Sequence, residues 1–325
     1  VKQILDLHDV SVSFETQRGS LLAVRNVTLS VAEGESLGIV GESGSGKTVL
    51  ARASMGLLTM STAHITGTVN FDGVDLSSAP RDVVRDQWGT GMAMIFQDPM
   101  TALNPVRRIG SQLTEGLRIR LGMSKKDAKA QGIELLKLVH IPDPEKALRK
   151  YPSQLSGGMR QRVMIAIAIA CNPKLVFADE PTTALDVTVQ AQILSLLSEL
   201  RQNTKMSMIL VTHDLGVVAG HTDKIAVMYA GEVVEYAETK ELFANIRMPY
   251  TEALMKSIPR LDMKSGGRMP VIEGRLPDPT MQEPGCGFAS RCPYVQEKCR
   301  SEHPELVDQG DGHKYRCHFP VGAKN

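Results

Sequence analysis

Gly41-Glu42-Ser43-Gly44-Ser45-Gly46-Lys47-Thr48 is the stretch on which the reading of this chain turns. It matches the pattern G-x-x-x-x-G-K-[ST] in full. Glycines let backbone wrap closely round a phosphate chain with its N–H groups pointing inward. The positive end of a following helix adds to the attraction. In that arrangement Lys47 neutralises the β and γ phosphates of ATP, and the Thr48 hydroxyl sits on Mg²⁺. The flanks agree: Ser36 to Val40 reads as a buried strand, and Val49, Leu50, Ala53 and Leu57 suit a helix.

Outward from the loop, alternation at Val10, Val12 and Phe14 and at Val27, Leu29 and Val31 predicts two half-buried strands. Short apolar runs at Met92–Phe96, Leu175–Ala178, Met208–Val211 and Ile225–Met228 predict further strands, with helical patterns between several of them. That order belongs to an α/β fold with a parallel sheet covered by helices. Residues 106–150 carry no strand signal and read as a helical insertion. After about Leu242 periodicity fades, and Pro249, Pro259, Pro270, Pro277, Pro279 and Pro284 punctuate an extended appendix.

The 325 residues allow one large domain or two smaller ones, and a formal net charge of +1 leaves no basic surface to recommend nucleic acid as a partner. No run of apolar residues is long enough to cross a bilayer, and the first residues lack the charged-then-apolar signature of a signal peptide. The expectation is a cytoplasmic protein whose link to a membrane comes through partners. Cys171 follows an apolar run and reads as a buried structural thiol.

Two more segments carry chemistry. Lys174-Leu-Val-Phe-Ala-Asp179-Glu180 is an apolar strand ending in two carboxylates. Asp179 is suited to hold the magnesium shell, and Glu180 to polarise an attacking water. Leu155-Ser156-Gly157-Gly158-Met159 precedes a long apolar helix, with Ser156 as its cap and two glycines leaving the N-terminus bare. A second anion site in one chain hints that it serves a neighbour's nucleotide.

Taken in order with Thr183-Ala184-Leu185-Asp186 and Thr212-His213-Asp214, these segments resemble the ABC-type ATPases over roughly residues 4–235. The resemblance implies a P-loop nucleotide-binding domain with a RecA-like core, an antiparallel β subdomain and a helical subdomain at about 98–165. It implies an ATPase domain over 1–240 and an irregular C-terminal extension over 241–325. By the same likeness Gln97 is similar to the glutamine that touches Mg²⁺ or the attacking water. Glu180 is similar to the general base, and His213 to the switch histidine on the γ-phosphate. Asp186 resembles an aspartate at the subunit contact, and Phe14 the aromatic that stacks on adenine. Ser156, Gly157 and Gly158 resemble the signature that closes on the nucleotide of a second ATPase subunit.

The stretch from Leu155 to Leu194, with QDPMTALNP upstream and Pro249-Tyr250-Thr251 in the appendix, looks like the oligopeptide and dipeptide importer ATPases. Met159 in place of the usual glutamine resembles the D-type subunit, which pairs with a distinct F-type chain. The likeness further implies two transmembrane permease subunits, an extracytoplasmic substrate-binding protein and a seat on the cytoplasmic face of the inner membrane. Nickel and some other solutes are also handled in this family. An ABC ATPase acting on nucleic acid would carry long coiled-coil insertions or two ATPase domains, and neither is visible.

Cys286, Cys292, Cys299 and Cys317 crowd into the tail, separated by five, six and seventeen residues. Spacing alone leaves an iron–sulfur cluster, zinc and no metal all open. Similar four-cysteine tails in the peptide-importer ATPases are associated with a [4Fe–4S] cluster, which the resemblance therefore implies here.

Overall fold

The structure is a computed structural model that describes residues 2–17, 19–58, 63–183, 185–258, 272–281, 284–308 and 310–322. Ala184, Pro259 and Pro270 lie outside the described residues. The chain forms two compact units, one of Val1–Ile4, Ala32–Glu35 and Ala79–Ile209, the other of Leu5–Val31, Ser36–Ser78 and Leu210–Asn325.

In the first unit, the strands Met92–Ile95 and Leu175–Asp179 pair in parallel, Met92 opposite Leu175 and Ile95 opposite Ala178. Every residue of both is buried. An unbroken apolar run with both faces covered is what a parallel strand requires. The expected helical insertion is present as Ile109–Arg120, Lys125–Leu138 and Pro144–Ala147, followed by Gly157–Ile169. Ser124 caps the second of these, its side chain accepting the Asp127 N–H. Leu113, Leu117, Leu135, Leu136 and Val163 form its apolar interior. Cys171 is buried, as its surroundings in sequence predicted, and burial pushes its thiol above the usual range.

In the second unit, Ser36–Val40 pairs in parallel with Lys224–Tyr229. Lys224–Tyr229 in turn pairs antiparallel with Glu232–Glu238. A separate antiparallel sheet joins Gly19–Ala32, Gln3–Thr16, Ala63–Phe71 and Val74–Asp75 in that order. Ala63–Phe71 carries no clean alternation, because five of its residues in a row are exposed, and the sequence reading passed over it.

The appendix is tied down more firmly than its sequence texture predicts. Lys314–Tyr315 adds to the sheet beside Glu232–Glu238, and Val307–Asp308 pairs with it in turn. Behind that pairing lies a buried polar knot. Glu235 is fully buried and His313 is 2% exposed, with His313 Nε2 at 2.8 Å from Glu235 Oε1. The Glu235 carboxylate also accepts the N–H groups of Arg247 at 2.6 Å and Met248 at 3.3 Å. A buried carboxylate is tolerated only with such a full set of donors. His313→Ala removes one of them, and we expect a loss of about 2–3 kcal/mol. A thermal melt would read this as a drop of several degrees in Tm, and an unchanged midpoint would show the knot to be dispensable.

Candidate active site

The phosphate loop leaves the buried strand Ser36–Val40 and enters the helix Lys47–Ser54, the order expected from sequence. Two of its glycines are dictated by space and backbone angle. A Cβ at Gly41 would lie 2.1 Å from the Met228 carbonyl oxygen. Gly46 takes φ +98°, and a Cβ there would lie 2.4 Å from the Ala23 carbonyl oxygen. Lys47 is 4% exposed. Its ammonium donates to the carbonyls of Gly41 at 2.7 Å and Glu42 at 2.9 Å, and to Ser45 Oγ at 3.4 Å. The lysine is thus folded along the inside of its own loop. Thr48 follows it at half-buried depth on the first turn of the helix.

Glu42 has every polar group engaged. Its N–H donates to the Tyr250 hydroxyl at 2.8 Å, and its carbonyl accepts Lys47 Nζ. Its two carboxylate oxygens accept Arg291 Nη1 at 2.6 Å and Nη2 at 2.9 Å. Tyr229, Tyr250 and Phe288 stack edge to face beneath this contact, with ring centroids 4.6–5.4 Å apart and each at most 1% exposed. Burial raises the Tyr250 phenol far above its ordinary range, so it stays protonated. The sequence reading quoted Tyr250 without assigning it a role and passed over Arg291. The one local signal was the position of Arg291, directly before Cys292.

In the first unit, Asp179 closes its strand at 1% exposure, and Glu180 follows with φ +44°. A non-glycine residue in the left-handed region is uncommon and carries strain, which gathers at functional sites. The turn aims the Glu180 carboxylate at two donors. Its Oε2 accepts Gln97 Nε2 at 3.0 Å and Thr183 Oγ1 at 2.8 Å. Gln97 lies two residues beyond the strand Met92–Ile95, so the parallel pairing of that strand with Leu175–Asp179 brings glutamine and glutamate together. The sequence reading quoted Thr183 at the head of a motif and assigned it no role.

Ser156 caps the helix Gly157–Ile169, its Oγ accepting the Met159 N–H at 3.3 Å, and Ser156 and Gly157 are exposed. Gly158 is half-buried, and a Cβ there would come 3.0 Å from Val189. Asp186 is likewise a cap, accepting the Val189 N–H at 3.0 Å at the start of Val187–Thr204. In the second unit His213 is exposed just past the strand Ser207–Thr212, and Phe14 is half-buried near the end of Gln3–Thr16.

The four tail cysteines line one pocket, shared with Phe288 and Phe319. The Cys286 N–H donates to the Cys299 carbonyl at 2.8 Å, drawing two of the cysteine-bearing segments together. Burial lifts the Cys286 thiol to about 11 and the Cys317 thiol to about 12, and raises Cys292 as well. Thiols so placed become ligands when a cation or cluster displaces their protons. Cysteine thiols are the donor type that iron–sulfur clusters and zinc both take. Among the described residues no three His, Cys, Asp or Glu side chains stand in a metal-holding group, so the thiols converge without closing on a ligand geometry.

A strand, a glycine loop holding a buried lysine and a helix define a P-loop nucleotide-binding protein. Residues 24–183 match the ABC transporter family, and residues 234–299 match the oligopeptide/dipeptide transporter C-terminal region. The chain is similar to the dipeptide transport ATP-binding protein DppD of Haemophilus influenzae, at 47% identity over 99% of this chain and 97% of the relative. It is also similar to the oligopeptide transport ATP-binding protein OppD of Salmonella typhimurium, at 45% identity over 98% of this chain and 94% of the relative. Among solved structures, the dimeric ATP-binding cassette MJ0796, in a post-hydrolysis state bound to ADP and Pi, aligns with a TM-score of 0.65 at 28% identity. That alignment covers 72% of this chain and 98% of the cassette. The chain belongs to the ABC transporter family of ATPases, in the branch that carries the oligopeptide/dipeptide transporter C-terminal region. No helix among the described residues is long and apolar enough to cross a membrane.

Proposed function

We propose that this chain is the ATP-hydrolysing subunit that powers import of dipeptides or oligopeptides through a multi-subunit transporter. The observation that carries the reading is the extent of the likeness. It spans almost the whole length of relatives named for dipeptide and oligopeptide transport, and it includes the tail region at 234–299. The ATPase domain is read as 1–240, with 241–325 as its extension.

Lys47 and the later N–H groups of the loop at 41–48 hold the phosphates, and Phe14 stacks on adenine. Thr48, Asp179 and Gln97 hold Mg²⁺. Glu180 takes the proton of the attacking water, steadied by Gln97 and Thr183, and His213 contacts the γ-phosphate. The exposed Ser156 and Gly157, with Gly158 beside them, close on the nucleotide of a second ATPase subunit, an F-type chain, and Asp186 lies at that contact. The motor works at the cytoplasmic face of the inner membrane against two permease subunits, with an extracytoplasmic binding protein delivering the peptide. Cys286, Cys292, Cys299 and Cys317 hold a [4Fe–4S] cluster, whose contribution when bound is a covalent cross-link of the tail segments.

Affinity purification of the tagged chain from membranes tests both parts. Two apolar permease chains and a second ATPase are the expected companions. Co-purifying nucleic acid in their place would overturn the transport reading. Iron and sulfide in the same sample are expected at about four each per chain. Stoichiometric zinc without iron would replace the cluster with a zinc site.

A further inference from the structure

The tail reaches the phosphate loop at Glu42 and holds that residue from two sides. The Arg291 side chain is 3% exposed and is itself immobilised. Its Nε donates to the Glu273 carbonyl at 2.9 Å, and its Nη2 donates to the Ile272 carbonyl at 3.0 Å. The guanidinium also lies over the rings of Tyr229 and Phe288, 5.8 and 6.0 Å from their centroids. A fork fixed on its far side presents its near side to the Glu42 carboxylate in a two-bond contact, the strongest ion-pair geometry available to arginine. Tyr250, packed in the same aromatic cluster, takes the Glu42 N–H.

These contacts act at the point where the chain leaves the strand Ser36–Val40 and begins to curl. With the Glu42 N–H turned toward Tyr250, the phosphate-facing work falls to the later N–H groups. Their placement depends on how rigidly the start of the loop is held. Glu42 also accepts Lys47 Nζ on its carbonyl, so the same residue links the tail to the lysine. A binding loop held in its working shape loses less entropy when ligand arrives, and affinity rises accordingly.

We propose that the cysteine-rich tail is a positioning element for the phosphate loop, acting through Arg291 and Tyr250 on Glu42. The proposal rests on nucleotide binding at residues 41–48. It adds a role that the loop motif does not contain.

The test is equilibrium binding of Mg–ATP to the full chain, with thermal melts run in parallel. Tyr250→Phe keeps the ring and removes only the hydroxyl, and it weakens binding about fivefold. Glu42→Gln and Arg291→Ala each weaken it about tenfold or more, since a charged hydrogen-bonded pair is lost. The double variant is no worse than the weaker-binding single one, because both remove the same contact. A merely structural role would lower the melting midpoint and leave the dissociation constant unmoved, and that result overturns the proposal. So do losses that add independently in the double variant. If Arg291→Ala fails to fold, Tyr250→Phe and Glu42→Gln decide the matter. Failure of the unaltered chain to bind Mg–ATP would instead overturn the nucleotide reading itself.

Discussion

Glu180→Gln is expected to leave Mg–ATP affinity close to that of the unaltered chain while hydrolysis falls by about 10²–10⁴-fold. The reason lies in what the carboxylate touches. Its Oε2 accepts hydrogen bonds from Gln97 and Thr183. An amide oxygen at the same position accepts both, so the geometry around the strand end survives. What the amide lacks is the ability to take a proton from water. The strained φ of +44° is already met by the glutamate, and a side chain of the same length adds nothing to that strain. Single-turnover hydrolysis and equilibrium nucleotide binding, measured on the same preparation, separate the two effects. Hydrolysis at the unaltered rate would remove Glu180 from the role of base.

Lys47→Ala acts one step earlier, on binding. Its ammonium makes charged hydrogen bonds to the Gly41 and Glu42 carbonyls and stands as the one cation within the motif at 41–48. Removing it takes away the charge that would meet the phosphates and releases two loop carbonyls at once. The charge-assisted hydrogen bonds the ammonium would make to the phosphates, at about 1.5–3 kcal/mol each, predict a loss of affinity of roughly 10² or more. Lys47→Arg is no rescue. A planar guanidinium does not fit where the side chain is 4% exposed and ringed by loop backbone. Titration with Mg–ATP reads the loss directly, and retained affinity in the alanine variant would separate the loop from phosphate binding. The two variants differ in kind: one leaves ATP bound and uncut, the other leaves it unbound.

Why the sequence foretold some of this and not the rest follows from the range over which each feature is specified. Gly41 and Gly46 are recognisable because the motif displays them within eight consecutive residues, although the carbonyls that exclude a side chain there, those of Met228 and Ala23, come from elsewhere in the chain. Asp179 and Glu180 are recognisable because a wholly buried strand ends in two charges, which local sequence displays. Gln97 stands two residues past a strand of its own, which local sequence displays. Its hydrogen bond to Glu180, however, depends on a parallel pairing that no local pattern records. Ala63–Phe71 was missed because a largely exposed strand shows no alternation.

The contacts onto Glu42 lie at the far end of that scale. Tyr250 and Arg291 stand 208 and 249 residues along the chain from it. Each sits in a proline-punctuated segment whose texture announces only irregular structure. His313 and Glu235 are hidden for the same reason, since a buried pair 78 residues apart has no period.

The phosphate loop therefore declared itself in eight consecutive residues: its lysine donates to carbonyls of its own loop, and its place between strand and helix is set by the residues on either side of it. That the start of this loop is held by a tyrosine and an arginine from the cysteine-rich tail came from folding alone. Hydrogen bonds between distant residues are fixed by packing of the whole unit, and packing leaves no periodic mark on the chain.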